Sequence, residues 1–139
     1  MDEKNTINKT ILIIEDDNFS QTILNVFLRP KYTTAFAENG KEALNLLENW
    51  LKPELIISDL NTPEISGFQL LQILKSKNKY CTIPFIVLSG DDSIEQQQKC
   101  LHAGATEFLV KPFNSITLGL LIESLLTTTN DRHSNFISH

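Results

Sequence analysis

Apolar and polar positions alternate along this chain in two registers, short apolar runs and longer stretches of helical period. The runs predict strands at Thr10–Ile14, Tyr32–Ala37, Leu55–Ser58, Phe85–Ser89 and Glu107–Val110. Between and after them, apolar residues recur every three or four positions, which predicts helices over Asn18–Leu28, Lys41–Leu51, Gly67–Lys77, Ser93–His102 and Ser115–Leu126. Strand and helix in strict alternation is the pattern of βα units around a parallel sheet. Four of the runs are almost unbroken, as expected where both sheet faces are covered. Asn39-Gly40, Ser66, Asp92-Ser93 and Asn114-Ser115 stand where side chains can cap helix starts, and Gly104 stands where a helix should stop. One domain over 10–126 accounts for all five units. Residues 1–9 are left as an N-terminal extension and 127–139 as a polar C-terminal tail, expected to lack order.

A length of 139 residues suits that single core. Twelve basic residues against seventeen acidic ones give a net charge of −5 with no basic run, so no nucleic-acid partner is expected. No stretch approaches the roughly 20 apolar residues that span a bilayer, and Met1-Asp2-Glu3-Lys4-Asn5 lacks a signal peptide's apolar segment. The expectation is a cytoplasmic protein without a membrane anchor. Cys81 and Cys100 have no zinc-site spacing and are too few for a disulfide framework, and His102, His133 and His139 have no ligand spacing either.

Chemistry gathers at the carboxyl ends of the strands. The first run leads into Glu15-Asp16-Asp17, the third into Asp59, the fourth ends in Ser89, and the fifth leads into Lys111-Pro112. In a doubly wound sheet these ends open on one edge, where ligands bind. Clustered carboxylates repel one another and are costly in a partly desolvated cleft unless a cation joins them. Mg²⁺ suits such a site because it takes oxygen ligands, keeps waters and accepts phosphate oxygens. A carboxylate nucleophile, a metal, a lysine and a hydroxyl form a set for phosphoryl transfer, with Asp59 attacking in line.

Glu15-Asp16-Asp17, Asp59 with Pro63 and Gly67 after it, Ser89, and Lys111-Pro112-Phe113 together resemble the receiver domain of two-component response regulators, from Thr10 to about Leu126. The resemblance implies a CheY-like, flavodoxin-like (βα)5 sandwich with strand order 2-1-3-4-5. It implies that Asp59 is the phosphoacceptor and that Asp16 is the direct Mg²⁺ ligand. Glu15 would act mainly through water, with the Asn61 backbone carbonyl as a further ligand. Ser89 matches the hydroxyl switch, Lys111 the phosphate-contacting lysine and Phe108 the aromatic switch. Thr62, Gly90, Glu15 and Phe108 depart from the commonest residues without removing a required group, although phenylalanine lacks a tyrosine's hydroxyl. Asp17 reads as a neighbour on the rim. Pro112 sets the loop that aims Lys111, and a cis Lys111–Pro112 bond is one way of doing so.

For function, the resemblance implies a phosphorylation-dependent switch that takes its phosphoryl group from a phosphohistidine on a histidine kinase or phosphotransfer protein. Such a switch catalyses its own phosphorylation and dephosphorylation and signals by binding a downstream protein. A phosphorelay intermediate, or a receiver excised from a hybrid kinase, would use the same residues. A haloacid-dehalogenase-like phosphatase would place its nucleophile on the first strand with a second acid two residues on, whereas here Asp16 and Asp17 are adjacent and Asp59 ends the third. In the first helix Leu24, Phe27 and Leu28 form the expected core stripe. Phe19, Ile23 and Val26 form a second stripe about 120° away, read either as a wide core contact or as an exposed docking patch for the phosphodonor.

Overall fold

The structure, a computed structural model, describes residues 9–138, with side chains as far as Thr127. The elements in chain order are β1 (Thr10–Ile14), α1 (Asn18–Leu28), β2 (Thr33–Ala37), α2 (Gly40–Asn49), β3 (Leu55–Asp59), α3 (Gly67–Lys75), β4 (Phe85–Ser89), α4 (Ile94–His102), β5 (Glu107–Val110) and α5 (Ser115–Ser138). All strand pairs are parallel, in the order β2-β1-β3-β4-β5. The parallel βα units are those that the alternating pattern predicts, and the flavodoxin-like strand order is the one that the family resemblance implies.

The two-residue period of the strands divides the core into two layers. Leu12, Ile14, Ile56, Phe85 and Val87 meet Leu47 of α2, Leu70 and Leu74 of α3 and Cys100 of α4. The alternate residues Ile11, Ile13, Ile57, Ile86 and Leu88 meet Leu24 and Leu28 of α1 and Leu118 and Ile122 of α5. Burial on both faces is why the central strands carry no polar alternation. Polar positions return only at the strand ends.

Most helix starts carry the expected caps. Asn39, Ser66 and Ser93 accept from the backbone N–H three residues on, and Asn114 accepts from Ile116 and Thr117. Gly104 has φ of +112°, the left-handed geometry that ends α4. Some boundaries differ from the sequence pattern. Tyr32 closes the end of α1, its N–H donating to the Leu28 carbonyl at 2.9 Å, so β2 begins at Thr33. The α5 backbone runs on to Ser138 rather than ending at Leu126, because neither glycine nor proline follows Gly119 to stop it. Phe27, expected in the core, lies instead at the surface beside Gly119 of α5, where an added Cβ would be 3.0 Å from its ring.

Lys75 is a tie that no local pattern announces. Its ammonium donates to the carbonyls of Cys81 and Ile83 at 3.0 and 2.9 Å, while its stem runs beneath Gly104. One side chain thereby joins α3, the α3–β4 loop and the α4–β5 turn. Burial pulls its pKa below the usual lysine value.

Candidate functional site

The carboxyl ends of β1, β3, β4 and β5 meet at one edge, as parallel strands in this order require. Glu15 follows β1 directly and is held by its backbone, whose N–H donates to the Ala37 carbonyl at 2.9 Å. Its carboxylate is buried, with one oxygen accepting from Lys111 Nζ at 3.1 Å and the other from the Asp17 N–H at 3.2 Å. Asp59 is the last residue of β3 and is partly buried, with Oδ1 3.4 Å from the same ammonium. Asp16 is exposed at the mouth of the cleft. One carboxylate oxygen from each of Glu15, Asp16 and Asp59 lies within 4.8 Å of the others. Among the described residues, this is the acidic cluster able to hold a metal ion.

Burial dominates the electrostatics of the two inner acids. It raises the pKa of Glu15 and of Asp59 above the usual carboxylate values, and the neighbouring Lys111 offsets this only in part. Desolvation alone would lower the pKa of Lys111. The hydrogen bond to Glu15 and the charge of Asp59 outweigh it and leave the ammonium above its ordinary value. Three carboxylates against one ammonium leave two negative charges, which one divalent cation would neutralise. The donor set, all oxygen and close together, fits Mg²⁺ chemistry.

Ser89 ends β4, fully buried, and its hydroxyl accepts from the Asp91 N–H at 3.0 Å. Its carbonyl accepts the Lys111 N–H at 2.7 Å, which locks the ends of β4 and β5 together. The Lys111–Pro112 bond is cis. Val87 lies opposite Phe108 across the two strands, and Ser89 is two residues past Val87, so Ser89 and Phe108 share one sheet face. Phe108 is half-buried against the α2–α4 core layer. Asn61 is exposed at the start of the loop leaving β3.

Some site features escape the sequence pattern. Asp17 accepts from the Ser20 N–H and hydroxyl, both at 2.9 Å, and so caps α1; those hydrogen bonds hold its pKa below the usual range. Its place just before the first helical residue was the available signal. Gln21 Nε2 donates to the Glu15 carbonyl, a contact with no sequence signature. Gly67 packs so close to the Asp59 carbonyl that an added Cβ would lie 2.0 Å from that oxygen. The second stripe of α1 is exposed, with Phe19 72% and Val26 69% accessible and Ile23 about half. Ile116 and Leu120 on α5 are exposed as well, and their four-residue spacing could have been read.

The family model of the response regulator receiver domain matches residues 11–123. The chain belongs to that family. Such receivers act in phosphorylation-dependent two-component signalling. A histidine kinase of Formosa agariphila is 38% identical over 117 residues, which are 84% of this chain but 8% of that protein. The two-component response regulator ORR3 of Oryza sativa is 33% identical over 103 residues, 73% of this receiver and 79% of that regulator. Among solved structures, the receiver domain of a signal transduction histidine kinase from Syntrophus aciditrophicus superposes with a TM-score of 0.80 at 33% identity, covering 86% of this chain and 91% of that one.

Proposed function

We propose that Asp59 accepts a phosphoryl group from the phosphohistidine of a kinase or phosphotransfer protein, and that the resulting acyl phosphate changes which protein the receiver binds. The supporting observation is the shared ammonium of Lys111, which reaches both Glu15 and Asp59 beside a cluster of three carboxylates. An Asp59 oxygen forms a bond to phosphorus as the phosphorus–nitrogen bond breaks, and the electron pair leaves with the imidazole nitrogen, which takes a proton from solvent. Lys111 would bond a phosphoryl oxygen, a role supported by its contacts with both Glu15 and Asp59. Mg²⁺ held by Asp16, Asp59 and the Asn61 carbonyl, with Glu15 acting through water, would supply positive charge to the phosphoryl oxygens as they crowd the acids.

The exposed stripe Phe19, Ile23 and Val26 on α1 is the docking patch for the phosphodonor. Phosphorylation would draw the Ser89 hydroxyl away from the Asp91 N–H toward the phosphoryl group, and Phe108 would turn into the space released. Output then passes to a downstream protein at the surface around α4, β5 and α5. No helix among the described residues is long and apolar enough to cross a membrane; a cytoplasmic location accompanies this reading. The test is incubation with acetyl phosphate and Mg²⁺, followed by intact-mass measurement. One phosphoryl group should be gained and lost in Asp59→Asn; an Asp59→Asn protein phosphorylated as fully as the parent refutes the assignment.

A further inference from the structure

The end of the sheet opposite the acidic cleft bears a hollow of about 430 Å³ between the α2–β3 and α3–β4 loops. Its walls are Trp50, Pro53, Tyr80 and Ile83, and Lys52 and Lys79 stand on its rim. Trp50, the single tryptophan of the chain, is 66% exposed here. Tryptophan is enriched at interfaces, where one end of its ring system is apolar and the other can stay wet. The floor is firm, because Tyr80 is buried and its hydroxyl donates to the Leu47 carbonyl at 3.2 Å.

Charge identifies the occupant. The chain is acidic overall, with a net charge of −5, yet the segments that enter the strands at this end carry Lys9, Arg29, Lys31, Lys52, Lys77 and Lys79 against the carboxylate of Glu54. The opposite edge carries Glu15, Asp16, Asp17, Asp59, Asp91 and Asp92 against the ammonium of Lys111. On the rim of the hollow, one carboxylate, Glu48, stands against two ammoniums. Among the described residues neither Lys52 nor Lys79 is within 4 Å of a carboxylate, and Lys79 lies over the Tyr80 ring at 5.6 Å. We propose that this hollow docks an acidic segment of a partner protein, with an apolar side chain seated against Trp50 and its carboxylates facing Lys52 and Lys79. Lying across the sheet from Asp59, it leaves the phosphorylation edge free, so it holds a partner irrespective of the phosphorylation state.

Trp50 supplies its own reporter, since its emission moves to the blue when it is covered. The probes are three short synthetic peptides, one alternating glutamate with leucine and phenylalanine, one with lysine in place of glutamate, and one with serine. The acidic peptide should give a saturable blue shift that weakens as salt rises from about 0.05 to about 0.5 M. The double variant Lys52→Glu/Lys79→Glu, altered only at exposed positions, should bind it at least about tenfold more weakly. That variant should still gain one phosphoryl group at Asp59 at the parental rate, which separates this proposal from the preceding one. Absence of a saturable shift, equal binding by the double variant, or preference for the lysine or serine peptide overturns the proposal. A blue shift that grows with protein concentration in the absence of peptide also overturns it, because a second copy of the chain is then the occupant.

Discussion

Gly67→Ala places a methyl group where the fold has no room for one. The new Cβ would lie 2.0 Å from the Asp59 carbonyl oxygen and 2.8 Å from Ser58 Oγ, while real contacts of this kind stay beyond 3.0 Å. The shortfall is therefore at least 3.0 − 2.0 = 1.0 Å against backbone, which cannot swing aside as a side chain can. Moving α3 outward strains the bond from the Gly67 N–H to the Leu60 carbonyl, now 2.9 Å. Overpacking of this kind costs about 1–3 kcal/mol and a weakened backbone hydrogen bond about 0.5–1.5 kcal/mol. The helical preference of alanine over glycine returns at most about 1 kcal/mol. The net expectation is a loss of stability between about 0.5 and 4.5 kcal/mol, read as a lower urea midpoint at unchanged slope. Because the displaced atoms belong to Asp59 itself, phosphorylation by acetyl phosphate should slow too. Gly90→Ala is the matched control: an added Cβ there meets nothing within 4 Å, so the midpoint should stay within about 0.5 kcal/mol of the parent. A Gly67→Ala protein as stable and as readily phosphorylated as Gly90→Ala would refute the reasoning.

Asp16→Ala should abolish Mg²⁺-dependent phosphorylation, whereas Asp17→Ala should leave most of it and instead lower the unfolding midpoint, since Asp17 spends its carboxylate on the Ser20 N–H and hydroxyl; titration of Mg²⁺ binding alongside urea unfolding separates the two, and equal metal affinities in the two variants would count against the assignment. Ser89→Ala should still accept phosphate but lose most of the phosphorylation-dependent gain in partner affinity, checked by comparing binding of a downstream partner to the phosphorylated and unphosphorylated forms; a full gain in the variant would place the coupling elsewhere.

The strands and the residues at their ends were legible because both signals are local. An apolar run of four or five residues states its own burial, and the polar residue that breaks it marks the edge. Glu15, Asp59, Ser89 and Lys111 each stand at such a break, so sheet topology alone was needed to bring them together. What the pattern did not contain was contact between distant segments. Phe27 carries the same apolar signal as Leu24 and Leu28, and only the approach of α5 at Gly119 decides that its ring lies at the surface. Lys75 reads as an ordinary solvated helix end until the α3–β4 loop folds beneath it. The exposure of Phe19 and Val26 was likewise undecidable from α1 alone, because a wide core contact and a free patch give the same stripe.

The strand period also separates the two tasks of the proposed switch. Glu15, Asp59 and Lys111 continue the positions of β1, β3 and β5 whose apolar members, Ile13, Ile57 and Leu109, pack toward α1 and α5. Ser89 and Phe108 continue the opposite positions, those of Phe85 and Val87, which pack toward α2, α3 and α4. On the proposed roles, the phosphodonor arrives on the side where its acceptor and the exposed α1 stripe lie. The hydroxyl and the ring that respond belong to the other layer. A signal crossing the sheet at the ends of β4 and β5, where the Lys111 N–H holds the Ser89 carbonyl at 2.7 Å, would therefore repack the edge of the α2–α4 layer at Phe108 and leave the α1–α5 layer in place. Substitutions on α1 should consequently alter the rate of phosphorylation while leaving phosphorylation-dependent output intact, and substitutions at Phe108 should do the reverse.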